Sequence, residues 1–191
     1  MRFSTLALTL LPLTFALPTK ESHQVSDLKR RATDQSAQVL EQITALNSSV
    51  AQLTTAVNNF DGTLLGLLPQ SLAVITAETK LDATILKTTA ITKQSSSFTQ
   101  SESQAILGAL AGTITPIQDS LTALKNKYPL FKKTLEAPIV LLDLKVLKAH
   151  TDDLIAALGE KFDADTAGYL GLGQSVIDQA FDDAIAVYQG S

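Results

Sequence analysis

The stretch VLEQITALNSSVAQLTTAVNNFDG, residues 39–62, decides the fold. Its apolar positions Val39, Ile43, Leu46, Val50, Leu53, Val57 and Phe60 recur at spacings of 4, 3, 4, 3, 4 and 3. That interval stacks side chains along one face of an α-helix. The spacing predicts one long helix, opened by Thr33 or Asp34 as N-cap and stopped near Gly62.

Downstream, the same period returns four times. A second helix is expected from LLPQSL onward, with Pro69 in its first turn. Its expected inner stripe is Leu72, Ile75, Thr79, Asp82, Leu86 and Thr89, with Leu81 and Ile85 beside it. SSSFTQSE then reads as a break and restart, because Thr99 stands three residues before Glu102 as in a capping box. The third helix carries Leu107, Leu110, Ile114, Ile117, Leu121, Leu124 and Tyr128. Pro116 inside it removes one backbone hydrogen bond and is expected to kink it. Gly108 and Gly112 read as a small-residue pair that permits close helix contact or leaves room for a ligand. A fourth helix is expected with Pro129 near its start and Pro138 as a bend. Its run from Ile139 to Leu147 is apolar nearly all round, which predicts a central position; the alternation in LLDLKV is compatible with a strand, but no turn signal flanks it. A fifth helix is expected from Asp165 or Thr166 to Tyr188, with GYLGLGQS as a flexible lead into it. Asp178, Asp182 and Asp183 face outward on that helix. The fold class is therefore all-α, an up-and-down bundle of about five long helices in a single domain.

Upstream, Arg2 is followed by an apolar run from Phe3 to Leu13 and by small residues ahead of a cut after Ala16, the form of a secretory signal peptide over residues 1–16. No later window is long and apolar enough to span a bilayer. Residues 17–31 have no helical or strand period and end in Lys29-Arg30-Arg31, which reads as a propeptide with a dibasic processing site. The working domain is then residues 32–191, and the expected location is extracellular.

In residues 32–191 ten lysines face seventeen acids, a net charge of −7, and no arginine remains. Without guanidinium forks and with an acidic balance, nucleic acid is not an expected partner, nor is an anionic lipid surface. Cysteine and tryptophan are absent and the only methionine is Met1. Disulfides, thiolate nucleophiles and thiolate metal sites are excluded, so stability must come from packing.

Other chemistry finds little support. His150 in KAHTDD shares a face with Asp153 but lacks further ligands for a metal, and reads as a surface residue at a helix end. Gly168, Gly171 and Gly173 are in the wrong order for G-x-G-x-x-G, and Ser175 lacks the second glycine of a nucleophile elbow. Asp178, Asp182 and Asp183 read as a solvated face rather than a carboxylate pair for glycoside hydrolysis. No catalytic residue, cofactor or metal is expected. Asn47-Ser48-Ser49 is the only N-x-[ST] sequon, so Asn47 is a candidate glycan site.

The order of leader, short propeptide ending KRR, cysteine-free helices beginning VLEQITALNSSVAQLTTAVNNFDG and ending IDQAFDDAIAVY resembles the fungal hydrophobic surface-binding protein A family, which includes the domains of cell wall galactomannoproteins. The resemblance implies a helical protein that is not an enzyme, secreted or held at the cell wall. It implies adsorption to hydrophobic surfaces or enclosure of fatty acids between helices, and for adsorbing members the recruitment of a polyester-degrading hydrolase. The chain departs from the wall-anchored pattern by stopping at VYQGS, with no Ser/Thr/Pro-rich stalk and no tail for a GPI anchor.

Two physical readings follow. In the first, kinks at Pro116 and Pro138, the glycines at 108 and 112 and hydroxyls at Thr79 and Thr89 leave a tunnel lined by Leu107, Leu110, Ile114, Ile117, Ile139, Leu142 and Val146. An acyl chain of about 16 methylenes would gain roughly 13 kcal/mol at about 0.8 kcal/mol per CH₂, against association costs of about 4–15 kcal/mol. In the second, the bundle lays apolar seams on a hydrophobic surface, and no disulfide opposes its opening.

Overall fold

A computed structural model describes residues 35–63 and 65–190. The signal peptide with Ala16, the propeptide with Arg30 and Arg31, and the expected caps Thr33 and Asp34 lie outside those residues. The described residues form five helices: α1 (Ser36–Asn59), α2 (Leu67–Gln94), α3 (Gln100–Lys133), α4 (Ala137–Gly159) and α5 (Ala164–Tyr188). Among the described residues there is no strand, and no helix is long and apolar enough to cross a membrane.

The heptad of α1 is buried throughout, from Val39 to Phe60. Past Phe60 the chain turns through Gly62 at φ +65°, a left-handed conformation that glycine adopts without a Cβ penalty. α2 differs from expectation. Its buried residues are Val74, Leu81, Ile85, Thr88, Thr89 and Thr92, whereas Leu72, Ile75 and Leu86 are exposed. The helix is thus turned by about one residue, roughly 100°, relative to the expected stripe. Threonine can occupy the inside because its hydroxyl bonds its own helix: Thr88 and Thr89 donate to the carbonyls of Thr84 and Ile85 at 2.6 and 2.9 Å.

α3 starts with the expected capping box, the Glu102 carboxylate accepting from the Thr99 N–H at 2.7 Å and the Glu102 N–H donating to the Thr99 hydroxyl. Pro116 sits inside α3 without ending it, and so does Pro129, which belongs to its last turn rather than to the start of the next helix. The break falls at Thr134–Glu136, where Leu135 takes φ 65°. Pro138 is in the first turn of α4, where a missing N–H costs nothing, so it starts a helix rather than bending one. α4 is not central. It buries Val140, Leu144, Leu147, Leu154 and Leu158 on one face and exposes Ile139 and Leu142 on the other. Asp163 caps α5 by accepting from Thr166 N–H at 3.2 Å, so GYLGLGQS is helix rather than a flexible lead.

Each helix packs on two neighbours in the order α1–α2–α4–α5–α3 and back to α1, and α3 and α4 touch little. Successive helices run in opposite directions, as the pairs Gln52–Lys80 and Lys148–Asp182 show together with Asp61–Gln70 and Asp152–Gln174. The ring is therefore closed but out of chain order: α1 lies between α2 and α3, and α5 lies between α3 and α4. α2 and α4 run parallel, joined by Ser71–Glu136 at one end and by Asp82–His150 further along. A ring of five leaves more space on its axis than four helices packed in a square. Aromatic rings close both ends of that axis. Phe60 stacks on Phe131 at 4.4 Å, with Tyr128 and Tyr188 beside them at 5.0 Å from each other; at the opposite end Phe98 meets Phe162 at 6.1 Å.

Candidate functional site: a segmented apolar lumen

With its ends shut, the ring holds three chambers in a row. The middle one, about 60 Å³, takes residues from all five helices, including Val50, Ile85, Ile117, Leu154 and Phe181. Leu53, Leu124 and Leu147 separate it from a chamber of about 50 Å³ that opens sideways between α2 and α4. Leu110, Thr113, Ile155 and Ile177 separate it from a wider chamber of about 270 Å³ between α3 and α5. Along α4 alone the row runs from Ile139 to Ile155, about 24 Å at roughly 1.5 Å per residue. A cavity needs on the order of 150 Å³ to hold even a benzene-sized guest. An acyl chain therefore fits only as the leucines between chambers swing aside, a motion that aliphatic rotamers allow without breaking a hydrogen bond.

The hydroxyls at the middle chamber are Thr113, Ser120 and Thr151. Thr113 and Thr151 donate to the carbonyls of Leu110 and Leu147, each at 2.7 Å. Ser120 is 5 % exposed and its Oγ has no hydrogen-bond partner among the described residues. A buried, unpaired hydroxyl costs about 1–3 kcal/mol, and a ligand oxygen reaching it would remove that cost.

The α2–α4 chamber has a different polarity. Glu78, Glu136, Asp143 and Ser71 join its apolar lining, and no lysine does. Burial pushes the Glu78 carboxyl up to about 7, with the charges of Asp143 and Asp82 adding to the shift. Asp143 is raised in the same way, by burial and then by Asp82. Asp82 itself pairs with His150 Nδ1 at 2.5 Å. His150 is thus a half-buried link between two helices in mid-α4, not a surface residue at a helix end. On the other side of α4, Asp152 is raised by burial and by sharing a hydrogen bond with Asp178, while Asp182 pairs with Lys148 at 2.5 Å.

The structure divides the predicted lining. Leu110 and Ile117 face the middle chamber, Leu107 and Ile114 the α3–α5 chamber, and Ile139 the α2–α4 chamber. Leu142 and Val146 line none of the three, and Leu142 points outward. Gly108 and Gly112 are exposed, and a Cβ on either would meet nothing within 4 Å, so they neither admit a helix nor widen the lumen. Thr79 is exposed and Thr89 bonds its own helix; the middle chamber's hydroxyls come from α3 and α4 instead. Ser120 was open to detection as the one polar residue on the seam between Ile117 and Leu124. Asn47 stands exposed on α1.

The profile of the family described as hydrophobic surface binding protein A matches residues 36–160. Among solved structures the chain is similar to AFMP4P in complex with palmitic acid, at 32% identity and TM-score 0.76, covering 80% of this chain and 99% of that one. It shares its fold with ligand binding domain 1 of the Penicillium marneffei MP1 protein, complexed with arachidonic acids, at 16% identity and TM-score 0.70, covering 80% and 95% of the two chains. Domain 2 of that protein, complexed with multiple arachidonic acids, gives 13% identity and TM-score 0.71, covering 81% and 94%. No curated protein matches in sequence.

Proposed function

This chain belongs to the hydrophobic surface binding protein A family, and on that premise we propose that it is a non-catalytic binding protein which takes a long-chain fatty acid into the lumen of its helical ring. The observation that carries this reading is the row of three mainly apolar chambers, set end to end over the length of an acyl chain and separated by aliphatic side chains and Thr113. The palmitic acid named with AFMP4P supports the ligand class. Ser120 supplies a hydrogen-bond donor for the carboxyl group or for a water beside it.

The reading extends to place. The leader ending at Ala16 and the basic cluster at Arg30 and Arg31 support export and trimming, with the working protein in the medium or at the cell wall. Native mass spectrometry of the protein from culture medium tests both points. A mature chain beginning near residue 32 with one fatty acid bound is the expected spectrum. A chain that arrives bare and takes up no added palmitate overturns the ligand, and an N-terminus well before Arg30 overturns the trimming.

A further inference from the structure

The outer face of the α2–α4 pair carries more apolar surface than the ring can use. On α2, Leu68, Leu72 and Ile75 are 82%, 64% and 47% exposed; on the connection and first turns of α4, Leu135, Ile139 and Leu142 are 83%, 61% and 52% exposed in the order Leu135, Leu142, Ile139. The α2 set recurs at i, i+4 and i+7 and forms one stripe, while Ile139 and Leu142 share a side of α4 at i and i+3, with Leu135 on the connection just before them. The helices are parallel neighbours, tied near this end by Ser71 and Glu136, which sets the two stripes side by side along one seam. Ile75 and Ile139 belong at once to the stripes and to the lining of the chamber beneath. The apolar surface therefore runs from outside the molecule into its lumen through Ile75 and Ile139, with Ser71 and the carboxyls of Glu78, Glu136 and Asp143 beside that path.

The other lateral opening differs. Between α3 and α5 the exposed apolar side chains are Tyr169, Leu172 and Val176, all on one helix, and Gln174 stands among the lining. Contiguous exposed apolar patches on soluble domains mark interaction surfaces, and of the two openings only the first has such a patch on both lips.

We infer that the α2–α4 face is the surface by which the protein lies on an uncharged apolar phase such as a wax, a polyester or an oil–water boundary, and that the cleft between Ile75 and Ile139 is the port through which an acyl chain passes from that phase into the lumen. The second half rests on the proposed function, and so does the choice of occupant in the first; the exposed patch itself does not. Continuity is the reason for choosing a condensed apolar phase as occupant. A protein partner or a second copy would cover the patch and stop the port, whereas an apolar phase laid against Ile75 and Ile139 lets a chain cross without meeting water. A headgroup-covered anionic membrane fits poorly, because no lysine lines the port and three carboxyl groups do.

The test compares the mature protein with a Leu72→Glu, Leu142→Glu double variant and a Val176→Glu control, an exposed α5 position outside the three chambers. All three positions are exposed, so circular dichroism and melting should be unchanged. Measured are depletion from solution by polystyrene beads, the rate at which palmitate moves from a hexadecane emulsion to the protein, and equilibrium affinity for dispersed palmitate. Two charges on the face should cut adsorption and transfer rate at least about tenfold, leave affinity for dispersed palmitate within about twofold, and leave Val176→Glu like the parent. Adsorption unchanged in the double variant, or equally lost in the control, overturns the docking face. So does sedimentation that finds the parent a dimer and the double variant a monomer, since a second copy then covers the face. If adsorption follows the variants but no protein binds palmitate, the lumen reading and the port fall while the docking face stands.

Discussion

α1 and the α2–α4 pair are built from the same kind of helix and use their apolar residues in opposite ways. α1 has one stripe of seven large apolar residues and buries all of them. α2 and α4 have more than one stripe each. They turn threonine, valine and some of their leucines inward and leave Leu68, Leu72, Ile139 and Leu142 in solvent. Where supply matches the inner face of the ring, burial follows the pattern. Where supply exceeds it, the surplus marks the surface on which the molecule does its work.

The sharpest way to break that contrast is to truncate one residue on each side of it. Phe60→Ala removes a fully buried ring stacked on Phe131 and should cost about 3–5 kcal/mol in urea unfolding. If it costs no more than an exposed leucine, the buried side of the comparison is wrong. Ser120→Ala acts inside the lumen. It removes an unpartnered hydroxyl, so stability should hold or rise slightly while affinity for palmitate falls by about 1–1.5 kcal/mol, read by titration calorimetry. Equal loss of stability and affinity would mean that Ser120 serves packing alone.

A smaller effect should appear with pH on the α2–α4 side. The Glu78 carboxyl rises from an ordinary 4.5 to about 7 in the folded chain, so the folded state holds this proton more tightly than the unfolded one. Its contribution is fully present below about pH 4.5 and is lost as pH rises through 7. Asp143 shifts with the same sign, whereas Asp61 and Asp163 are lowered by hydrogen bonds to Thr63 and Thr166 and act with opposite sign in more acidic solution. Melting temperature should therefore decline between pH 4.5 and 7, and Glu78→Gln should flatten that decline; a parallel curve for the variant would assign it elsewhere. Smallest of all, Leu72→Ala should change stability by no more than about 0.5 kcal/mol. A cost several times larger would place Leu72 in the core and remove the surplus.

The fold class was legible because periodicity needs only spacing, and α1 and α3 alternate by 3 and 4 for seven apolar positions each. The capping box at Thr99 and Glu102 was legible for the same local reason. What spacing does not contain is the rotation of a helix whose apolar residues cover several stripes. In α2 the stripe through Leu72, Ile75 and Leu86 exists, but Thr88 and Thr92 hold the inside. Thr88 bonds its own helix and packs like a valine, so polarity alone misleads. α4 looked central because it is apolar all round, and it is apolar all round because two of its faces have separate uses. Proline had the same ambiguity: Pro129 lies within the last turns of one helix and Pro138 in the first turn of the next, and only the left-handed Leu135 between them fixes the boundary. Four of the seven predicted lining residues, all on α3, face the chambers, and Ile139 stands at a mouth. Ser120 escaped notice because a single hydroxyl on an apolar seam looks like a tolerated substitution until its partners are counted.

The out-of-order ring also sets a timetable for folding. Three of its five interfaces join segments far apart in the chain, shown by Ser36 with Glu102, Ser71 with Glu136, and Tyr188 with the carbonyl of Leu124, at separations of 66, 65 and 64 residues. Such non-local contacts slow a chain's search compared with a bundle in which only consecutive helices touch. α1 and α2 can form a hairpin early, but that hairpin has no inside. The lumen comes into being only when α5, the last 25-residue helix, settles between α3 and α4.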